Sequence, residues 1–326
     1  MRNFAARIHH GALRGTPAVV LENELLRVTV LLHGAHIIEF NHKPRDLDFI
    51  WLTPGTSWPG QGDFFDSYPG GWQEIFPSGG APATYRGAVL DQHDEAVALP
   101  WECEVVEDDP ARVAVRLTVR TKRTPFRVSK VLSLASGEAR LSVSSTVTSE
   151  APVETHAMWG QHLAYGAPFL IPGSRITLPP GVTVQPHEVT LNPPRRAVAE
   201  GGPYPWPVVP TPDGGTVDLS VIPEPGAPSD VCYLTGFTEG WYELRRPDGD
   251  AGVRVKWDAA TLPYLWLWHE FGDTTGHPWW GRAYVAGLEP FSSYPTNGLP
   301  DAVANGSAMT LAPWSSRSVD WSVEVI

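Results

Sequence analysis

The ten residues RVAVRLTVRT, numbers 112–121, decide the fold: Val113, Val115, Leu117 and Val119 alternate with Arg112, Arg116 and Arg120. A side-chain period of two belongs to an extended strand with one face in a core and the other in water. The same alternation runs through LLRVTVLL from Leu25, FRVSKVLSL from Phe126, ARLSVSSTV from Ala139, GVRVKW from Gly252 and the closing SVDWSVEVI. Gly, Pro, Asp or Asn separate these runs at short spacing, as in antiparallel meanders. No twelve-residue window carries a convincing helical period, FAARIHHGAL near the N-terminus being the best of poor ones. The expected fold class is therefore all-β, a large antiparallel sandwich occupying residues 1–326 as a single domain.

Composition agrees with that reading. The 326 residues are 42% hydrophobic and 18% charged, enough apolar material for a sizeable core, and they include 31 glycines and 33 prolines. Such punctuation suits many short strands better than long helices. The formal net charge of −12 argues against nucleic acid and anionic membrane surfaces as partners, and against phosphosugars. Cys103 and Cys232 lie too far apart in sequence for a ligand pair and fit free thiols. The N-terminus lacks an apolar h-region and no apolar run reaches membrane-spanning length, so the expectation is a soluble cytoplasmic protein. Residues 187–230 hold ten prolines and five glycines. The apolar Tyr204, Trp206 and Val208 within them favour an ordered crossover wrapped on the sandwich.

Among chemistry-bearing residues, histidine comes first because it titrates near neutrality. His162 lies in MWGQHLAYGAPFL and His93 in DQHDEAVALPW. His156 shares a face with His162 if one strand joins them, whereas His33 and His36, three apart in a strand-like run, are expected on opposite faces. Glu289 ends an apolar run directly before Pro290, where a carboxyl is paired, ligand-facing or raised in pKa. Trp72, Gln73 and Glu74 sit in GGWQEIFPSGG, and Glu74 suits either a sugar or an arginine partner such as Arg86. G-x-S-x-G is absent, and the glycine-rich GGWQEIFPSGG lacks the lysine of a phosphate-binding loop.

Taken in order, ENELLRVTVLLHGAHIIEF, GGWQEIFPSGG, DQHDEAVALPWE, MWGQHLAYGAPFL, LPYLWLWHEFG and AYVAGLEPFSSYP resemble the aldose 1-epimerase, or galactose mutarotase-like, superfamily along nearly the whole chain. The resemblance implies a β-supersandwich binding a small-molecule sugar, with interconversion of α and β anomers by acid/base ring opening. It implies no cofactor, no metal and no obligatory protein partner. It matches His162 to the general acid, Glu289 to the base and His93 to a sugar-holding histidine. Arg86 is a positional match for a sugar-binding arginine and Asp230 for an aspartate, while Asp94 stands where the family has glycine. Trp72, Trp159 and Trp268 are the expected stacking faces. A non-catalytic sugar-binding protein is the alternative, and a glycosidase using Glu289 with Glu270 is a further one.

Overall fold

A computed structural model describes residues 2–55 and 63–326. Two antiparallel sheets dominate it. The larger has twelve strands and the second eight. Arg112–Arg120 behaves as its alternation requires, with Val113, Val115, Leu117 and Val119 buried and Arg112, Arg116 and Arg120 exposed. It pairs with Phe126–Ala135 in the second sheet, and the order continues through Arg140–Ser149, Ser316–Val325 and Gly252–Trp257. Every run singled out by its period of two is a strand. FAARIHHGAL supplies the strand Arg7–Leu13 rather than a helix, and the described helices are short, Phe64–Ser67 and Leu299–Ala304.

One contiguous apolar core draws on both sheets, for example Val28, Phe40, Trp72 and Leu288 from the larger and Val128, Leu141, Val255 and Trp321 from the second. Packing two apolar sheet faces against each other leaves the larger sheet a second face, turned away from the core. Four adjacent strands matter there, in spatial order Trp72–Ile75, Gly160–Gly166, Tyr284–Phe291 and Tyr264–Phe271. Residues 187–230 are ordered as expected. Tyr204–Pro205 extends the large sheet, and Val208–Pro210 pairs with Thr216–Asp218. Tyr204 and Trp206 pack on the core, but Val208 stays exposed and Val209 takes the buried place. Cys103 and Cys232 are free. Among the described residues no helix is long and apolar enough to cross a membrane.

Candidate active site

Strand register assembles the site. Trp266 opposes Glu289, Gly160 opposes Phe291, and His162 opposes Gln73. Because opposed residues in antiparallel strands share a face, and the Gly160–Phe291 register sets His162 beside Glu289, the side chains of Trp266, Glu289, His162 and Gln73 form one row across the strands on the outer face. His162 Nε2 lies 3.4 Å from Glu289 Oε1, both residues being buried. Burial pushes the Glu289 carboxyl well above the usual carboxylate range and lowers His162 to about 4. The desolvated pair thus favours its neutral form, with the proton on the carboxyl and a free lone pair on the imidazole. Glu289 Oε2 and His162 Nδ1 have no hydrogen-bond partner, a costly arrangement for buried polar atoms and one suited to a ligand bearing hydroxyls.

The pair lies in a cleft of about 240 Å³ whose walls include Phe64, Tyr68, Trp266, Trp268 and Trp279. Trp268 stands 5.7 Å from the His162 ring and 5.8 Å from Trp279, centroid to centroid, and offers the expected aromatic face. His93 also lines the cleft, 5.7 Å from His162. The Gly80 amide donates to His93 Nδ1 at 3.0 Å, and burial lowers this imidazole to about 3, so its Nε2 carries the hydrogen and acts as a donor. His93 adopts a left-handed backbone, φ 58°, a strained conformation for a non-glycine residue that turns this side chain into the cleft.

The remaining expected site residues lie elsewhere, for reasons of strand alternation. In Trp72–Ile75 alternation puts Gln73 and Ile75 on the face of His162, so of the three expected residues there only Gln73 shares it. Trp72 packs in the inter-sheet core and donates to the Ala164 carbonyl at 3.3 Å. Glu74 also points inward, accepting from Trp159 Nε1 at 2.6 Å and Gln161 Nε2 at 2.8 Å, with Lys130 Nζ of the second sheet 3.8 Å away. Its basic partner is therefore Lys130 and not Arg86. Trp159, tied to Glu74 and fully buried, presents no stacking face. Arg86 is exposed at the tip of a hairpin, donating to the Glu154 carbonyl. Asp230 points away from the cleft and accepts from the Ala197 and Val198 amides, while its neighbour Val231 lines the cleft. His156 is on a separate short strand, paired with Met309–Leu311, and its Nδ1 meets the Tyr85 hydroxyl.

Tyr68, His36 and Gly287 were not anticipated. The Tyr68 hydroxyl is buried without a hydrogen-bond partner, and burial together with the Glu289 carboxyl raises its pKa. His33 and His36 share one cleft because the backbone turns left-handed at Gly34 and Ala35, φ 69° and 48°, which breaks the strand period. Gly287 lies between the cleft residues: a Cβ there would sit 2.6 Å from Glu289 Oε1 and 3.1 Å from Trp268 Cε3. Gly287→Ala should therefore fold but displace the carboxyl. The expected loss of turnover is about 100-fold, the scale of a misplacement near 1 Å, checked by steady-state rates beside a thermal unfolding curve. Among the described residues no group of three or more His, Cys, Asp or Glu is placed to hold a metal ion.

The large antiparallel sandwich has the galactose mutarotase-like fold, which solved structures share. A protein of Klebsiella pneumoniae provisionally described as an aldose 1-epimerase superposes with a TM-score of 0.71 at 16% identity, covering 97% of this chain and 81% of that one. A galactose mutarotase-like protein from Lactobacillus casei gives 0.60 at 20%, covering 95% and 100%, and a galactose mutarotase related enzyme from Lactobacillus acidophilus gives 0.59 at 16%, covering 95% and 97%. No functionally curated protein matches the sequence. The profile of DUF4432, described as a domain of unknown function, matches residues 14–325, and the chain belongs to that family.

Proposed function

We propose that this protein is a sugar isomerase of the aldose 1-epimerase type, with Glu289 and His162 as its acid/base pair. The observation that carries the reading is the placement of these two buried, 3.4 Å apart groups, each with an unpartnered polar atom, in an aromatic cleft of about 240 Å³. Trp268 stacks on the sugar ring, and His93 donates to a sugar hydroxyl. The Glu289 carboxyl protonates the ring oxygen while His162 takes the proton of the C1 hydroxyl, so the ring C1–O bond breaks and an open-chain aldehyde forms. After rotation about C1–C2 the imidazolium returns a proton to the carbonyl oxygen, the hydroxyl closes on the opposite face of C1, and Glu289 recovers its proton. This resting assignment reverses the roles implied by family resemblance, because burial places the proton on the carboxyl rather than on the imidazole.

The test is anomer exchange of free aldoses followed by NMR or polarimetry. Turnover should hold across neutral pH. It should fall on the acid side as His162 protonates near pH 4 and loses its acceptor role, and on the alkaline side when Glu289 ionises, well above the usual carboxylate pKa. Sugar binding without accelerated exchange would replace the enzyme by a binding protein of the same fold. The glycosidase reading gains no support from Glu270, which lines the cleft but already accepts from Ser229 Oγ, Thr274 Oγ1 and the Thr274 amide.

A further inference from the structure

The row across the outer face does not stop at the acid/base pair. His162 opposes Gln73, and Gln73 Nε2 lies 3.2 Å from His36 Nε2 on the next strand connection. With strands about 4.8 Å apart, Glu289, His162, Gln73 and His36 span on the order of 14 Å. That is longer than one pyranose ring. Beyond Tyr68 a second cavity of about 660 Å³ opens, sharing Phe64, Phe65, Tyr68 and Gln92 with the first.

Its polar atoms are as conspicuous as those of the first cavity. His36, Gln73 and Tyr68 are 3%, 2% and 3% exposed, and each has a side-chain polar atom without a hydrogen-bond partner: Nδ1, Oε1 and the hydroxyl. Exchanging the amide oxygen and nitrogen of Gln73 leaves the same result, since one end meets His36 and the other remains unpaired. Buried polar groups are normally satisfied, and three in a row along one cavity mark a surface built for a polar ligand.

The charge of that ligand can also be read. The described residues lining the cavity include His33, His36, Gln73 and Gln92 with Asp63, Asp91 and Asp94, and no lysine or arginine. Arg123, which pairs with Asp94 and Asp91, is not among them. Lys130 donates to the Ala35 carbonyl and lies against Glu74. A phosphate would meet carboxylates and no cation, whereas neutral hydroxyls find acceptors and donors both.

We propose that this cavity is a second subsite, over His36, Gln73 and Tyr68, that binds an uncharged hydroxylated ring, so that the substrate is a reducing disaccharide or longer rather than a single sugar. This rests on the reading of the Glu289–His162 cleft as the site of the reducing ring. The experiment compares maltose, cellobiose and lactose with glucose, galactose and glucose 6-phosphate, in anomer exchange and in binding titrations by calorimetry. At least one disaccharide should exceed its constituent monosaccharides about tenfold in kcat/KM, mainly through KM, the worth of one or two added hydrogen bonds. His36→Leu should erase that advantage, lowering kcat/KM for the disaccharide about tenfold more than for its constituent monosaccharides. His33→Ala, at the half-buried rim, should reduce it should the first variant fail to fold.

Equal kcat/KM for disaccharides and monosaccharides, or preference for the 6-phosphate, overturns the subsite and leaves the isomerase reading standing. Disaccharide binding that depends on His36, with no exchange of any sugar, supports the subsite and overturns the isomerase. Absence of both binding and exchange overturns both.

Discussion

Glu289→Gln should lower anomer exchange by about 10²–10⁴-fold while leaving the protein folded and no less stable. The amide has nearly the carboxyl's shape, so it fits between Trp268, Gly287 and His162, but it cannot give a proton to a ring oxygen and take it back. Stability should hold or rise because the wild-type carboxyl is buried with Oε2 unpartnered, an arrangement kept at some cost. His162→Asn should lose activity by a similar factor, and the double variant should be hardly worse than either single one, since the two groups pass protons within one catalytic cycle. Exchange kinetics and urea unfolding on the same preparations check both halves. Undiminished exchange in Glu289→Gln would remove that residue from the chemistry and with it the proposed mechanism.

What could be read from the chain follows the range of the physics involved. Alternation within one strand is local, so Arg112–Arg120 and its relatives were legible, and a lone carboxyl at the end of an apolar inner strand drew notice to Glu289. Which face of a strand meets the core is not local. Trp72, Gln73 and Glu74 looked equivalent as site residues, yet only Gln73 shares the face of His162, where it lines the adjoining cavity, because the opposite face is claimed by Lys130 and Ser145 of the second sheet. Asp230, expected at the site, points away from it for the same reason, and its neighbour Val231 lines the cleft. A regular strand through Gly34 and Ala35 would put His33 and His36 on opposite faces, but the backbone there turns left-handed. Tyr68 carried no signal apart from its position before the glycine pair that opens GGWQEIFPSGG; its unpartnered hydroxyl is a property of packing alone.

Glu74→Ala should destabilise the fold by about 3–5 kcal/mol, the cost of breaking a buried ion pair from one side. Glu74 is wholly buried and Lys130 nearly so, and they meet in the centre of the sandwich as a polar link between its two sheets. Removing the carboxylate strands the Lys130 ammonium with the Ala35 carbonyl and the Trp101 ring, and leaves the Trp159 indole and the Gln161 amide without their acceptor. Against a typical stability of roughly 5–15 kcal/mol this removes about a third or more of the total at the middle of the range and approaches unfolding at its lower end. The pH dependence has a definite sign. Burial already holds the Lys130 pKa below its ordinary value while Glu74 raises it, so the variant's ammonium is easier still to deprotonate in the folded state. A lysine with a depressed folded pKa makes stability rise with pH up to its unfolded value, and the wider window in Glu74→Ala should make its deficit shrink toward alkaline pH. Glu74→Leu combined with Lys130→Met should recover the part of the loss due to the unpaired charge, because both charges leave together, but not the part due to the Trp159 and Gln161 donors, which stay without an acceptor. Denaturant titrations of the wild type, Glu74→Ala, Lys130→Met and the double variant from pH 7 to 10 check both the sign and the rescue. A sugar-binding Glu74 would show the reverse pattern, with KM raised, stability unchanged and no rescue by Lys130→Met.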